Sequence, residues 1–370
     1  MAHPSATPSV QRRILELDGV RGLAAILVVL FHAFPRSIFF WGWSGVDLFF
    51  VLSGFLITTI ILAQCKTAGF LRSFYLRRVF RIWPVYYLTL AGVLLVNRFS
   101  AAGFSVGGLM NHVFFLQNCQ KYLGLPVPGF VGTFWPSWSV AVEEQFYLFW
   151  PLLLPMLGRR GIPFFSVALL AISLGGRFLL PSTFELLGTR GDGLAFGCFL
   201  AWLLDRSGND FAESAARRFV LFAGVVGGGY VAAFLSQFWL SQNPGWALTR
   251  FTGFSLVFSA VIGGCVLSAN RPWLAPLRHP ILRWFGTISY AMYLFHLPIL
   301  AYTGTLLARI GIRSEAVQTA STWFLIVGLP AASWYFLERP ILRWKESLIA
   351  SRPEPDAILQ TTRTVPPPLS

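Results

Sequence analysis

The feature that most constrains this chain is the recurrence of apolar windows about 20 residues long, the length a helix needs to cross the hydrocarbon of a bilayer. Ten windows fall near residues 20–36, 44–63, 80–97, 138–157, 162–180, 191–205, 218–238, 251–269, 284–303 and 317–337. A backbone surrounded by lipid must satisfy its own N–H and C=O groups, so such windows predict helices. The expected fold class is an all-α polytopic membrane protein with about ten transmembrane helices. With only 12% charged residues against 55% hydrophobic, the 370-residue chain cannot cover the surface of soluble or disordered domains.

A net charge of +14 would point to nucleic acid if the basic residues shared one face. Here they sit between the apolar windows, at 66–81, Arg159 and Arg160, Arg206, Arg217 and Arg218, Arg271 to Arg283, and Arg339 to Lys345. That pattern reports topology and leaves no nucleic-acid partner. With those loops cytoplasmic, the inner side holds roughly 21 of the 29 Lys and Arg, and both termini face the cytoplasm. Moving one window out of the count would scramble the asymmetry of every later loop. Localisation in the cell inner (cytoplasmic) membrane follows.

The first apolar run is read as a membrane helix. Its basic lead, Arg12 and Arg13, suits a signal peptide, but large residues from Phe39 to Trp43 stand where small cleavage-site residues would be needed. Cys65, Cys119, Cys198 and Cys265 lie too far apart for a CxxC or metal-ligand spacing, so they are packing residues and no metal is expected. The longest outward connection runs from about Arg98 to Ser137, and its stretch from His112 to Leu116 is apolar enough to dip into the membrane. Residues 1–345 are read as one integral-membrane domain and 346–370 as a disordered cytoplasmic tail ending in Pro366, Pro367 and Pro368.

Ionisable groups inside hydrocarbon are costly, which makes them functional candidates. In LDGVRGLAAILVVLFH, Arg21 and His32 are eleven residues apart, roughly three helical turns, so they share a face about 16 Å apart along the axis. An arginine at the cytoplasmic mouth can hold phosphates while a neutral imidazole three turns deeper acts as a general base. Equally, Arg21 can be a snorkelling anchor and His32 a helix contact. In FYLRRVFRIWPVYY, Arg77, Arg78 and Arg81 crowd one helix end, where guanidinium forks suit phosphate groups. Positive-inside charge and lipid headgroups are the competing uses.

In WPSWSVAVEEQFYLFW, Glu143 and Glu144 lie about one-third into a window and are turned about 100° from each other, so at most one faces a given cavity. In SYAMYLFHLP, His296 lies about as deep as His32. Asp47 and Asp192 stand near outward helix ends, as caps or as partners of Arg190.

Taken together, these segments resemble the membrane-bound acyltransferase 3 family, mostly bacterial O-acyltransferases acting on sugars and related acceptors. The motifs are Arg-x10-His at Arg21 and His32, GVDLFFVLSGF, RRxxRIxP from Arg77 to Pro84, WSxxxEExFY from Trp138 to Tyr147, and YxxYLxHxP from Tyr290 to Pro298. The resemblance implies a ten-helix unit that moves an acyl group, acetyl by family frequency, from a cytoplasmic acyl-CoA (acetyl-CoA) to a hydroxyl of a carbohydrate or lipid-linked glycan. It implies an essential role for His32 and donor binding by Arg21, Arg78 and Arg81; the residue reading adds Glu143, Glu144 and His296 to the catalytic candidates and Arg77 to the donor-binding ones. One glutamate would orient His32, and His296 would line the acceptor side. Many relatives append an extracytoplasmic esterase-like domain; this chain reads as a stand-alone unit. The alternative is a proton-coupled secondary transporter of an anionic or sugar substrate, against which the lack of a visible internal repeat argues.

Overall fold

The computed structural model describes residues 14–98, 106–124, 131–181, 183–205, 210–238 and 244–350. The elements, in order, are α1 (Leu15–Ala33), α2 (Gly45–Gln64), α3 (Phe70–Arg98), α4 (Val106–Val113), α5 (Val131–Phe134), α6 (Ser137–Leu179), α7 (Leu187–Arg190), α8 (Asp192–Leu204), α9 (Asp210–Phe238), α10 (Pro244–Leu267), α11 (Pro280–Arg309), α12 (Glu315–Ser333) and α13 (Arg339–Ala350). No strand occurs among the described residues.

Each of the ten apolar windows falls on a helical segment. Seven helices are long and apolar enough to cross a membrane among the described residues. The difference from ten has three sources. At 43 residues, α6 would be about 65 Å long, twice the hydrocarbon thickness. It breaks at Gly158, whose φ of 63° only glycine adopts readily, and the windows 138–157 and 162–180 fall on its two halves. The 19 residues of α1 carry Glu16, Asp18 and Arg21. The third source is α8, with only 13 residues.

Two pairings form the centre of the bundle, α1 against α11 and α2 against α8, with α6 packed on α8 and α2. The start of α1 is tied down by Glu16, which accepts from Arg278 at 2.8 Å and from the Asn270 amide at 2.9 Å. The segment after α4 turns back along α3, where Tyr86 and Tyr87 donate to the carbonyls of His112 (2.9 Å) and Val113 (2.8 Å). That contact lies eleven residues, or about 16 Å, below the outer end of α3. Backbone at such depth needs internal partners. Gln145 supplies another by donating to the Phe115 carbonyl at 3.1 Å. At the C-terminal side α13 continues to Ala350, so residues 346–350 of the expected tail are helical. No proline follows Pro340 until Pro353 to stop it. The remainder of that tail, 351–370, lies outside the described residues.

Candidate functional site

The site starts from a contact between two backbones. A Cβ added at Gly22 would stand 2.2 Å from the Leu282 carbonyl oxygen, and one at Gly286 would stand 1.9 Å from that of Asp18. Only glycine therefore permits this approach of α1 to α11. From Gly22 to His32 and from Gly286 to His296 is ten residues each, about 15 Å of rise, so the two imidazoles arrive level. They meet with His32 Nδ1 at 3.2 Å from His296 Nε2.

The surrounding acceptors assign the protons. His32 Nδ1 is 2.9 Å from the Val28 carbonyl and His296 Nδ1 is 2.6 Å from that of Tyr293. Carbonyls only accept, so both rings carry their hydrogen on Nδ1. The one Nδ1–H of His32 is then shared between the Val28 carbonyl and His296 Nε2, and His32 Nε2 keeps its lone pair. His296 is fully buried, and its position locks the tautomer of His32.

On the side that the sequence reading places toward the cytoplasm lies a cavity of about 130 Å³ lined by Arg21, Arg78, Arg81, Glu143, Tyr147 and Tyr293 among others. Among the described residues no carboxylate pairs within 4 Å of any of these three guanidinium groups. Arg78 instead lies between the rings of Phe74 and Tyr147, 5.6 and 5.5 Å from their centroids, with its Nε unpartnered. Arg81 faces Trp334 at 6.0 Å. That indole opens a π-helical turn, Trp334–Glu338.

Arg77 does not line this cavity. It is exposed and donates to Ser73 Oγ at 3.3 Å. Consecutive helical residues turn by about 100°, so a wall formed by Arg78 and Arg81 leaves Arg77 on the flank. The two glutamates part in the same way. Glu143 faces the cavity and accepts from Ser53 Oγ at 2.6 Å, which in turn accepts from Tyr147 at 2.8 Å. Glu144 turns away and accepts from Trp83 Nε1 at 3.2 Å.

Neither glutamate orients His32, contrary to the sequence expectation. Ser53, the partner of Glu143, lies two turns along α2 from Val46, about 10 Å from the level of the histidines. The orienting partner of His32 is His296.

On the side that the sequence reading places outward, His32 lines a second cavity of about 310 Å³, with Trp43, Trp135, Trp138, Arg190 and Arg250. Val46 and Tyr293 belong to the walls of both cavities. Tyr293 is held there by Ser139 Oγ at 2.6 Å and by donation to the Pro136 carbonyl at 2.9 Å. The arginines and His32 thus line separate cavities, with Val46 and Tyr293 between them.

Behind the outward cavity stands an ion network. Arg177 holds Asp192 with two hydrogen bonds, 2.6 and 3.0 Å, and also donates to the carbonyls of Thr189 and Leu248. Arg190 pairs with Asp47. Both aspartates are therefore partners of buried arginines, Asp47 of Arg190 as one sequence reading had it and Asp192 of Arg177. Sequence reasoning gave no role to Ser53, Tyr147, Tyr293, Arg177 or Arg250. Three of these lie inside motif segments, Ser53 in GVDLFFVLSG, Tyr147 in WSVAVEEQFY and Tyr293 in SYAMYLFHLP, three residues before His296. That placement was the only signal for them.

The fold and site define a polytopic helical membrane protein with two polar cavities back to back and a histidine pair in the wall between them. A family profile described as an acyltransferase domain matches residues 14–337, and the chain belongs to that family, acyltransferase 3. It is 29% identical over 380 aligned residues to the peptidoglycan O-acetyltransferase OatA of Listeria monocytogenes, covering 90% of this chain and 56% of that protein. It is likewise 29% identical to the putative peptidoglycan O-acetyltransferase YrhL of Bacillus subtilis, covering 89% and 55%. A putative O-acetyltransferase of Staphylococcus aureus is 28% identical, covering 79% and 51%. The chain spans about half the length of these curated relatives. No solved structure matches it.

Proposed function

We propose that the protein is a membrane-bound O-acetyltransferase that moves an acetyl group from acetyl-CoA to a hydroxyl of a carbohydrate acceptor. The observation that carries this reading is the position of His32, at the partition between a basic cytoplasmic cavity and an aromatic outward one. Relatives named for peptidoglycan acetylation support a cell-envelope glycan, polymeric or lipid-linked, as acceptor. In this reading residues 1–345 form the acyltransferase domain, ten segments cross the cytoplasmic membrane, and both termini face the cytoplasm.

Arg21, Arg78 and Arg81 are the groups for the phosphates of the coenzyme, because three guanidinium forks stand around a cavity whose nearby carboxylates, Glu143 and Glu338, make no ion pair with them. The thioester supplies an activated acyl carbon. The inner cavity has room for roughly four waters, so it takes only the slender end of the donor, and Val46 and Tyr293 must yield for the acyl group to reach His32. The acceptor hydroxyl gives its proton to His32 Nε2 as its oxygen bonds to the acyl carbon. The departing thiol then takes the proton back. His296 Nε2 accepts from His32 Nδ1–H throughout, which holds the ring in the tautomer that leaves Nε2 basic. A wall of Trp and Phe limits bulk water and with it hydrolysis of the thioester.

The test is acetyl-labelled coenzyme A supplied to membranes containing the protein. Label moving into an ester on envelope glycan is the expected result. Thioester left intact, with sugar or anion accumulating unchanged across the membrane, would replace this reading with a transporter.

A further inference from the structure

Five charged side chains meet behind the outward cavity: Arg177, Arg190 and Arg250 with Asp47 and Asp192. Two arginines have their aspartates, Arg177 with Asp192 and Arg190 with Asp47. Arg250 has none. The charged groups around it are Arg190, Asp47 and Arg177, and among the described residues no carboxylate pairs with it. One positive charge is left over, partly buried, beside a cavity that also holds His32. An uncompensated charge in a low-dielectric site is unfavourable, and a mobile counter-ion is one way to offset it.

The geometry of Arg250 suits such a ligand. Its guanidinium carbon lies 4.7 Å from the Phe251 ring centre and 5.4 Å from that of Trp43, so aromatic rings flank the charge while its N–H groups make no hydrogen bond among the described residues. Its Nε is buried and unpartnered, as is that of Arg190, which lies over the other ring contact of Phe251 at 3.6 Å. With Arg177 also over that ring at 5.6 Å, three guanidinium groups share one phenyl, and they repel each other unless negative charge lies near them. Asp47 makes its ion pair with Arg190, and with Asp192 it leaves two carboxylates against three arginines.

We infer that the outward cavity contains an oxyanion subsite at Arg250, backed by Arg190, which takes a carboxylate or phosphate carried by the acceptor and so presents a nearby hydroxyl to His32. The inference rests on the proposed acetyl transfer for its meaning, but the subsite can be measured without it. The indoles of Trp43, Trp135 and Trp138 flank the cavity and give sugars a stacking surface.

The test uses the full chain purified in detergent and titrates glucose, glucuronate and glucose 1-phosphate, followed by tryptophan emission, with acetyl-CoA binding measured on the same samples. At least one of the two anionic sugars is expected to bind about tenfold or more tighter than glucose. In Arg250→Gln that advantage disappears, in Arg250→Lys part of it returns, and acetyl-CoA binding stays as in the wild type, which shows the variants are folded. Preference for glucuronate assigns a glycan carboxylate; preference for glucose 1-phosphate assigns the phosphate of a lipid-linked glycan. Equal affinity for all three sugars, or an anionic advantage that survives in Arg250→Gln, overturns the subsite. Failure to bind or consume acetyl-CoA, with the sugar preference intact, overturns the acetyltransferase reading and leaves the subsite standing.

Discussion

The arginines of the inner cavity are half-buried, whereas Arg177 and Arg190 behind the outer one are fully buried, and the two groups are differently partnered. Arg177 and Arg190 each hold an aspartate, and Arg177 spends its remaining donors on Thr252 and on two backbone carbonyls. Such a guanidinium joins α6, α7, α8 and α10 and has nothing left for a ligand. Arg21, Arg78 and Arg81 face aromatic rings or open space and keep their charge. The contrast teaches that buried charge alone does not mark a binding site; buried charge without a carboxylate does. Arg250 belongs to the second class although it sits with the first.

The largest effect that sharpens the contrast is on stability. Arg177→Ala strands Asp192 in the interior, and breaking such a pair costs about 3–5 kcal/mol. Thermal unfolding in detergent should shift down strongly while the surviving folded fraction binds acetyl-CoA normally. Next comes geometry. Gly286→Ala would drive a Cβ into the Asp18 carbonyl and part α1 from α11, moving His32 off His296. Transfer should fall about 100-fold with little change in donor affinity, as expected when a reacting group shifts by about an ångström.

Arg78→Ala or Arg81→Ala removes charge-assisted hydrogen bonds worth about 1.5–3 kcal/mol, so acetyl-CoA affinity measured by calorimetry should fall about 10- to 100-fold with thermal stability nearly unchanged. The smallest effect is assigned to Arg77→Ala. Its side chain points away from the cavity, and donor affinity should change less than about threefold. A large loss there would erase the distinction between the flank and the wall of α3.

Much of this arrangement was legible from spacing along single helices. The ten windows, the shared face of Arg21 and His32, and the common depth of His32 and His296 all follow from rise and twist, which local sequence controls. What was not legible depends on how helices cross. That the α1–α11 contact is glycine on carbonyl, which brings the two imidazoles within hydrogen-bond reach, cannot be read from either helix alone. The same holds for Glu143, whose residue type suggested an orienting carboxylate but whose level on α6 matches Ser53 instead. Arg177 lies in a window without a motif and Arg250 just before one, and only the bundle brings Arg177 to Asp192 and sets Arg250 beside Trp43. The single break at Gly158, which lets one continuous helical run fill two windows, required a backbone angle that apolar periodicity does not encode.

The account depends most on His32 acting as the base at the partition. Its direct test is His32→Ala, with acetyl transfer and acetyl-CoA binding measured on the same purified sample. The predicted result is transfer reduced about 10²- to 10⁴-fold while the donor binds as in the wild type. Transfer that continues at the wild-type rate without this imidazole would contradict it.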